Sequence, residues 1–413
     1  MKKFITLLSA LMLVSGMLMS QDNKPDFLKK PFENNPDTKI IFGAQTVGTM
    51  QFLSHENSNE AGSAGEITPI ASGFQNAAGN VFINGTITDG ISAYFEVYLS
   101  SEHHTEVWMR EGYIKIDKLI VLNSPLIDKI MEVVSLKAGQ MEINYGDWHL
   151  RRSDNGSVQN NPLIGNYIID GNTTEIAVEV TAALKQFELM GGISGGTTKG
   201  DLNEDHGLAT YGKIAYNQDL GEKSFLRLAG SLYHVDHSGN SAAYGQGTKN
   251  YLFSGNRSGA RYKGILNAET DAGQMLVTNG QKITSYQLNS TLVFDRLEVF
   301  GTYEWINEGD MDGADSDETL EETWTQIAVD AKYNLTDKLY ISGRYNVANE
   351  QEYQSIDSDR QVVRIQGGLG FMLTKGLLLK GEYVHQEYKN FGVEDARYGA
   401  EFNGPLLEMS FNF

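Results

Sequence analysis

Apolar and polar residues alternate one by one along many stretches of the chain. In residues 91–100 every odd position is apolar, whereas the even positions carry serine, tyrosine and glutamate. Residues 296–307 and 337–348 repeat this period, which indicates β-strands with one apolar and one polar face. Strands of soluble sandwiches are typically about 5–6 residues long, whereas about 9–11 residues cross a bilayer as a tilted strand. The pattern therefore favours a transmembrane barrel.

The alternating segments predict an all-β fold, an antiparallel up-and-down transmembrane β-barrel of about 16 strands (range 14–18). An even number of strands keeps both termini on the same side of the membrane. The segments lie near residues 40–53, 81–89, 91–100, 105–117, 135–146, 172–184, 186–198, 207–219, 223–236, 282–294, 296–307, 322–334, 338–350, 359–373, 376–389 and 404–413.

The connections between these segments fall into two sets that alternate through most of the chain, as in outer-membrane barrels. The short turns are 89–90, 184–185, 219–222, 295–296, 334–337 and 374–376. The long polar loops are 54–80, 147–171, 237–281, 308–321 and 390–403. Residues 118–134 break the rule, because they are long where a tight turn is due. A short helix is expected there, with one apolar face made of Leu126, Ile127, Ile130, Met131 and Val134.

The two ends of the chain predict export and membrane assembly. Lys2 and Lys3 precede an apolar run, so residues 1–20 are expected to be a signal peptide. Residues 21–38 are expected to be a flexible periplasmic lead-in, and 39–413 the barrel. After residue 21 there is no apolar run of about 18 residues, so no transmembrane helix is expected. The last segment alternates and ends in Phe413, which resembles the signal that the barrel-assembly machinery reads.

Composition narrows the function further. The chain has 44 glycines, 20 tyrosines, 18 phenylalanines and only 7 prolines, which suits many strands joined by tight turns. Its formal net charge of -20 makes nucleic acid an unsuitable partner. With no cysteine, thiolate metal sites and cysteine nucleophiles are excluded. The eight histidines show no catalytic or metal-ligand spacing, so we expect no enzyme, cofactor or metal. The acidic run 310–318 is interpreted as a solvated loop, although loose Ca²⁺ or Mg²⁺ binding is the alternative.

The loop 147–171 contains the densest group of candidate site residues, Arg151, Arg152, Asp154 and Asn155. If the loop folds into the lumen, these charges set a transverse field at the narrowest point and bias which solutes pass. The alternative is a loop that caps the outside of the barrel, with its arginines on lipopolysaccharide phosphates or on nothing.

Strand alternation also predicts which charged residues face the lumen. Ten acidic and six basic positions give a wall with four excess negative charges, which favours cations mildly. The alternative is a plugged or narrow lumen in which these groups pair with one another. The acidic positions are Glu96, Glu142, Glu175, Glu179, Glu188, Glu298, Glu304, Asp330, Glu382 and Glu408. The basic positions are Lys213, Arg227, Lys332, Arg344, Arg364 and Lys380.

The stretches REGYIKID (110–117) and LKAGQMEINYG (136–146) resemble paired strands of porins related to the phosphate-selective O and P type. They are also similar to the porin-like barrels common in Bacteroidetes. The resemblance implies a trimer of sixteen-stranded barrels with a ladder of basic residues in the lumen. This chain departs from that family, because its predicted wall is acidic. A short ladder would consist at most of Arg151, Arg152, Arg227, Arg344 and Arg364.

Together these features predict an outer-membrane porin for passive diffusion of small hydrophilic solutes or ions, with a mild cation bias. Its expected partners are outer-membrane lipid and lipopolysaccharide, the barrel-assembly machinery, the solutes themselves and, as a homotrimer, other copies of the chain. The alternative is a non-transporting barrel that acts as an adhesin, a scaffold or a secretion or surface-assembly component. The long loop 237–281, which can fill the mouth or recruit a partner, supports that alternative.

Overall fold

The structure is a computed structural model. It describes residues 39–60, 62–101, 107–119, 122–196, 207–238, 252–253, 259, 261–266, 272–277, 282–309, 321–352 and 359–413. The predicted signal peptide, the predicted lead-in and the acidic run 310–318 lie outside the described residues.

Within these residues the chain forms seventeen β-strands and one α-helix. The strands are β1 (Lys39–Gln51), β2 (Ser54–Glu56), β3 (Gly73–Thr88), β4 (Ile91–Ser100), β5 (Trp108–Ile116), β6 (Val134–Glu142), β7 (Thr174–Leu184), β8 (Phe187–Ser194), β9 (Ala209–Gly221), β10 (Ser224–Val235), β11 (Lys282–Phe294), β12 (Leu297–Gly309), β13 (Glu321–Asn334), β14 (Leu339–Glu352), β15 (Arg360–Thr374), β16 (Leu377–Lys389) and β17 (Glu401–Asn412). The helix α1 comprises Pro125–Met131, and a 3-10 turn comprises Trp148–Leu150.

The strands form one closed antiparallel sheet. From β3 onward each strand pairs with the next one in sequence, and β1 pairs with both β3 and β17. The seam between β1 and β17 aligns Gln45 with Asn412 and Gln51 with Leu406. The short β2 continues along β17, where Glu56 aligns with Glu401. Because β1 and β2 occupy one position in the sheet, the barrel has sixteen strands, and the predicted fold class is confirmed.

The two faces of the sheet follow the predicted alternation. Along β16, Lys380 and Glu382 point inward and are 3% and 4% exposed, whereas Tyr383 points outward and is 54% exposed. The outward positions of other strands are also large and apolar, and they are exposed on the isolated chain. They include Leu228, Ile327, Ile341, Ile365, Leu369, Leu407 and Met409. An apolar band around a closed sheet matches the lipid-facing surface of a membrane barrel. No helix in the described part of the chain is long and apolar enough to cross a membrane.

The connections separate by length as predicted, with two differences in detail. The link from β5 to β6 contains α1, which confirms the predicted short helix, but α1 ends at Met131 and the predicted face residue Val134 is the first residue of β6. Strand β3 begins at Gly73, eight residues before the predicted start at 81, so the predicted loop 54–80 is too long. The connection 143–173 between β6 and β7 folds inward, and we call it the lumen loop.

The main apolar core lies inside the barrel, where the lumen loop packs against residues of the β10–β11 connection. Ile164, Ile168 and Ile169 of the lumen loop belong to the same buried cluster as Leu252 and Phe253 of that connection. Loop residues, rather than a second sheet, therefore fill much of the lumen.

Candidate solute path in the barrel lumen

The lumen loop crosses the barrel and docks on β3 and β4. Asn155 Nδ2 donates to the carbonyl oxygens of Gly79 at 2.7 Å and Leu99 at 3.1 Å. The backbone N–H of Gly156 donates to Asn80 Oδ1 at 2.8 Å. A Cβ at Gly156 would lie 2.8 Å from the Cα of Gly79, which is closer than real Cβ contacts allow. The docking therefore depends on glycine in the loop, with a second glycine facing it.

The loop also reaches the end of the barrel that carries the short turns. Gln159 Nε2 donates at 3.1 Å to the carbonyl oxygen of Gly376, in the turn between β15 and β16. Asn412 Nδ2, near the end of β17, donates to Gln159 Oε1 at 3.0 Å. The lumen loop thus extends from the side of the long loops to the opposite end.

Charged residues of the barrel wall hold the loop through its backbone. Lys380 Nζ donates to the carbonyl oxygen of Leu163 at 3.1 Å, and Arg344 Nη1 to that of Gly165 at 2.8 Å. Glu382 Oε2 accepts from the N–H of Gly165 at 3.2 Å. Because backbone groups supply these contacts, the wall residues act here as anchors of the loop.

The described residues of the β10–β11 connection bind the same part of the wall. Arg364 donates to the carbonyl oxygens of Gly273 at 2.7 Å and of Asn166, in the lumen loop, at 2.8 Å. The hydroxyl of Tyr262 donates to Glu382 Oε1 at 2.5 Å. One arginine therefore joins both inward segments to β15.

The predicted constriction residues are inside the lumen but paired with other residues. Arg152 forms ion pairs with Asp170 at 2.6 Å and with Asp154 at 3.2 Å, and its side chain is fully buried. Arg151 is paired with Glu298 on β12. Their charges are thus balanced within the fold.

Arg110 on β5 was not among the predicted site residues, yet it contacts four carboxylates in the lumen. Its guanidinium lies 3.0 Å from Glu111, 3.3 Å from Glu96 and 3.1 Å from Glu142, and it also pairs with Asp154. Four carboxylates thus surround one cation. Two of them, Glu111 and Glu142, also line the cavity described below.

A β-bulge explains why alternation misses Arg110. Glu96 aligns with Glu111, but the next residue, Val97, aligns with Met109, so Arg110 is the extra residue. A bulge redirects side chains relative to the regular alternation. Arg110 and Glu111 are therefore both turned into the lumen, and a break in alternation at REG is the signal that could have identified them.

Part of the lumen beside the lumen loop is open. A cavity of about 550 Å³ lies along β5 to β10 and the start of the lumen loop. Seven of its eleven lining residues are four glutamates, two lysines and one arginine. The lining consists of Glu111, Tyr113, Lys137, Glu142, Asn144, His149, Leu150, Glu179, Glu188, Lys213 and Arg227.

Asp147 of the lumen loop pairs with two cations at one side of this cavity. It accepts from Arg227 Nε at 2.7 Å and lies 3.2 Å from Lys213 Nζ. Burial raises the pKa of Asp147, but the hydrogen bonds and charges of Arg227 and Lys213 outweigh burial and hold the pKa below its ordinary value. Asp147 is therefore ionised at neutral pH.

The fourteen predicted site residues fall into two groups. Glu142, Glu179 and Arg227 line the cavity. The others contact loops or neighbouring strands, where Glu96 accepts from Asn80, Glu175 pairs with Ser194 and Glu304 accepts from Tyr145. The remaining eight are Arg151, Arg152, Asp154, Asn155, Arg344, Arg364, Lys380 and Glu382. Besides the contacts given above, Arg344 pairs with Asp330 at 2.7 Å and Lys380 with Glu408 at 2.9 Å. Whether any of the fourteen contacts a solute stays a prediction.

Solved structures of porins share this fold. The anion-selective porin of Comamonas acidovorans matches with a TM-score of 0.54 and 10% identity, over 91% of this chain and 100% of that one. OmpF of Salmonella typhi gives 0.54 and 12%, over 91% and 98%, and the channel DcaP of Acinetobacter baumannii gives 0.51 and 11%, over 91% and 97%. No family model and no curated protein matches the chain. At these identities the likeness establishes a porin-like barrel.

Proposed function

We propose that the chain is an outer-membrane porin through which small hydrophilic solutes diffuse passively along β5 to β10. The observation that carries this proposal is the 550 Å³ cavity, which is lined mostly by charged and polar side chains. Polar walls of this kind keep a pore wet. An apolar outer band and a porin-like fold support placement in the outer membrane.

The open part of the lumen favours cations. Its lining contains four glutamates and three cations, and Asp147 adds one further negative charge beside two of those cations. The anion-selective porin from Comamonas acidovorans shares the fold. Since that porin is anion-selective, the fold alone does not set the preferred ion. The cation preference proposed for this chain therefore rests on the charges of its cavity wall.

Planar-bilayer recording of the purified full-length mature chain tests the proposal. Ohmic current steps, with a reversal potential in a KCl gradient on the cation side, are the expected result. A barrel that is folded by circular dichroism and gel mobility but carries no current would overturn the channel function. A reversal potential on the anion side would overturn the cation bias alone.

A second candidate function is a non-transporting barrel. The contact between Gln159 and Gly376 favours it, because the lumen loop then runs the length of the barrel and can close it. The same recording distinguishes the two functions, since a closed barrel is silent at all voltages that the bilayer tolerates.

A further inference from the structure

The cavity contains two opposite charges that face each other without pairing. Lys137 on β6 and Glu179 on β7 are directly aligned in register. Side chains aligned in this way have Cβ atoms about 4.5–5.5 Å apart, within easy reach of an ion pair. Instead, Lys137 Nζ lies 4.0 Å from the ring centroid of Tyr113 and 3.7 Å from Glu111 Oε1.

Glu179 is left with an unused acceptor. The residue is 7% exposed, and its Oε2 has no hydrogen-bond partner among the described residues. Its other oxygen, Oε1, accepts from the Thr181 hydroxyl at 3.5 Å. A buried carboxylate oxygen without a donor is unfavourable. Glu179 also lines the cavity, so its weakly bonded carboxylate can take a donor from a bound molecule.

Other charges around the cavity already have close partners. Glu142 lies 3.1 Å from Arg110, and Arg227 lies 2.7 Å from Asp147 and 3.6 Å from Glu188. Lys137 is held more loosely, since its nearest carboxylate is at 3.7 Å and its side chain is 22% exposed. Lys137 and Glu179 are therefore the cation and the anion that are best placed to bind a solute.

We propose that the cavity contains a subsite for a small zwitterion such as a free amino acid. The ammonium group of the solute would bind at the Glu179 carboxylate, which lines the cavity, and the carboxylate of the solute would accept from Lys137 Nζ. An inorganic cation could satisfy Glu179 but not Lys137, whereas a zwitterion engages both at once. The cavity volume of about 550 Å³ is in the range usual for small-molecule sites, about 300–1,000 Å³.

If the chain is the channel proposed above, the subsite identifies small zwitterions as its solutes; in this respect it rests on the proposed function. Binding itself does not require transport, so the subsite is tested on the full barrel folded in detergent. Three related probes are titrated by calorimetry: alanine, ethylamine, which is alanine without the carboxylate, and propionate, which is alanine without the amine. We expect alanine to bind about tenfold more tightly than either single-charge probe, or ~1.4 kcal/mol for the second charge-assisted contact.

Two variants separate the two contacts. Glu179→Gln should abolish ethylamine binding, keep propionate binding and reduce alanine to the level of propionate. Lys137→Met keeps the apolar stem and should give the reverse result. The matched control is Glu401→Gln, at a position on the outward face of β17, and it should bind all three probes like the wild type. Gel mobility and circular dichroism check that each variant is folded.

The proposal is overturned if alanine binds no better than ethylamine, if none of the probes binds, or if Glu179→Gln leaves alanine affinity unchanged. Conductance measured on the same preparations keeps the two claims apart. Alanine binding to a silent barrel would support the subsite and reject the channel. Current without alanine binding would support the channel and reject the subsite.

Discussion

Arg152 and Asp170 form a two-bonded ion pair inside the lumen, with Nε–Oδ1 at 2.8 Å and Nη2–Oδ2 at 2.6 Å. The two residues lie 18 positions apart in the lumen loop, and their side chains are 0% and 1% exposed. Bidentate arginine–carboxylate pairs fix geometry as well as adding energy. The pair therefore closes the loop on itself and fixes its shape inside the barrel.

Asp170→Asn should loosen this loop. It leaves the buried Arg152 without its main counter-charge, and breaking a buried pair from one side typically costs about 3–5 kcal/mol. We expect the free energy of loop opening to fall by about that amount, measured by amide hydrogen exchange over residues 147–171. The control is Asp89→Asn at the exposed pair with Lys118, where no measurable change is expected. Equal exchange in wild type and Asp170→Asn would show that the pair does not hold the loop.

Gly156→Val should displace the tip of the lumen loop from β3. A Cβ at Gly156 would lie 2.7 Å from the carbonyl oxygen of Gln45 and 2.9 Å from the backbone nitrogen of Asn80. Overpacking of this kind costs about 1–3 kcal/mol. If the loop obstructs flow, single-channel conductance rises in this variant.

Gly392→Ala is the matched control for that experiment, because no heavy atom lies within 4 Å of a Cβ built there. Its conductance and stability should equal those of the wild type. A Gly156→Val barrel with unchanged conductance and stability would contradict the tight docking of the loop tip.

Two-residue alternation predicted the strands well because large apolar residues mark their outer face. The segment predicted at 376–389 corresponds to β16, Leu377–Lys389, within one residue at its start. Alternation failed at the start of β3, where residues 73–80 are mostly small or polar. Gly79 in that stretch has a structural reason, since the lumen loop packs against it. Close packing of a distant segment leaves no periodic signal.

For the candidate site, the sequence predicted which strand side chains point into the lumen, but not which loop atoms they contact. Arg344 and Lys380 face inward as alternation requires, and each pairs with the carboxylate aligned with it on the neighbouring strand, Asp330 and Glu408. Both also donate to loop carbonyls about 180 and 220 residues away along the chain. The side to which a strand residue points is a local property, whereas its partner depends on the path of the loop. Arg110 was missed for a third reason, because the bulge at that position shifts the alternation.

Asp147→Asn should move the selectivity of the channel toward anions. It removes the negative charge that Lys213 and Arg227 share beside the cavity, so the path gains one net positive charge. The reversal potential in a KCl gradient should shift accordingly, whereas Asp295→Asn, at an exposed turn pair, should leave it unchanged. A reversal potential that Asp147→Asn leaves unchanged would show that this side of the cavity is not on the path.

The pH dependence of that effect follows from the pKa of Asp147. Hydrogen bonds from Arg227 and Lys213 outweigh burial and hold this pKa below 3.8, so the carboxylate stays charged between pH 7 and pH 5. Its stabilising contribution is fully present above the ordinary pKa and is lost only as the pH falls through the lower native value. The difference in reversal potential between wild type and Asp147→Asn should therefore be the same at pH 7 and pH 5.

Phe413→Ala should separate assembly in the cell from folding of the barrel. The backbone of Phe413 closes the seam with Ala44 through two hydrogen bonds of 3.0 and 3.1 Å, while its side chain is 71% exposed. The substitution keeps both backbone bonds, so refolding into detergent should be unchanged. If the terminal aromatic ring is read by the assembly machinery, the amount of chain in the outer membrane should fall. Leu407→Ala, on the same face of β17 and 51% exposed, is the control and should assemble normally. Failure of Phe413→Ala to refold in detergent would instead make the ring a structural element of the seam.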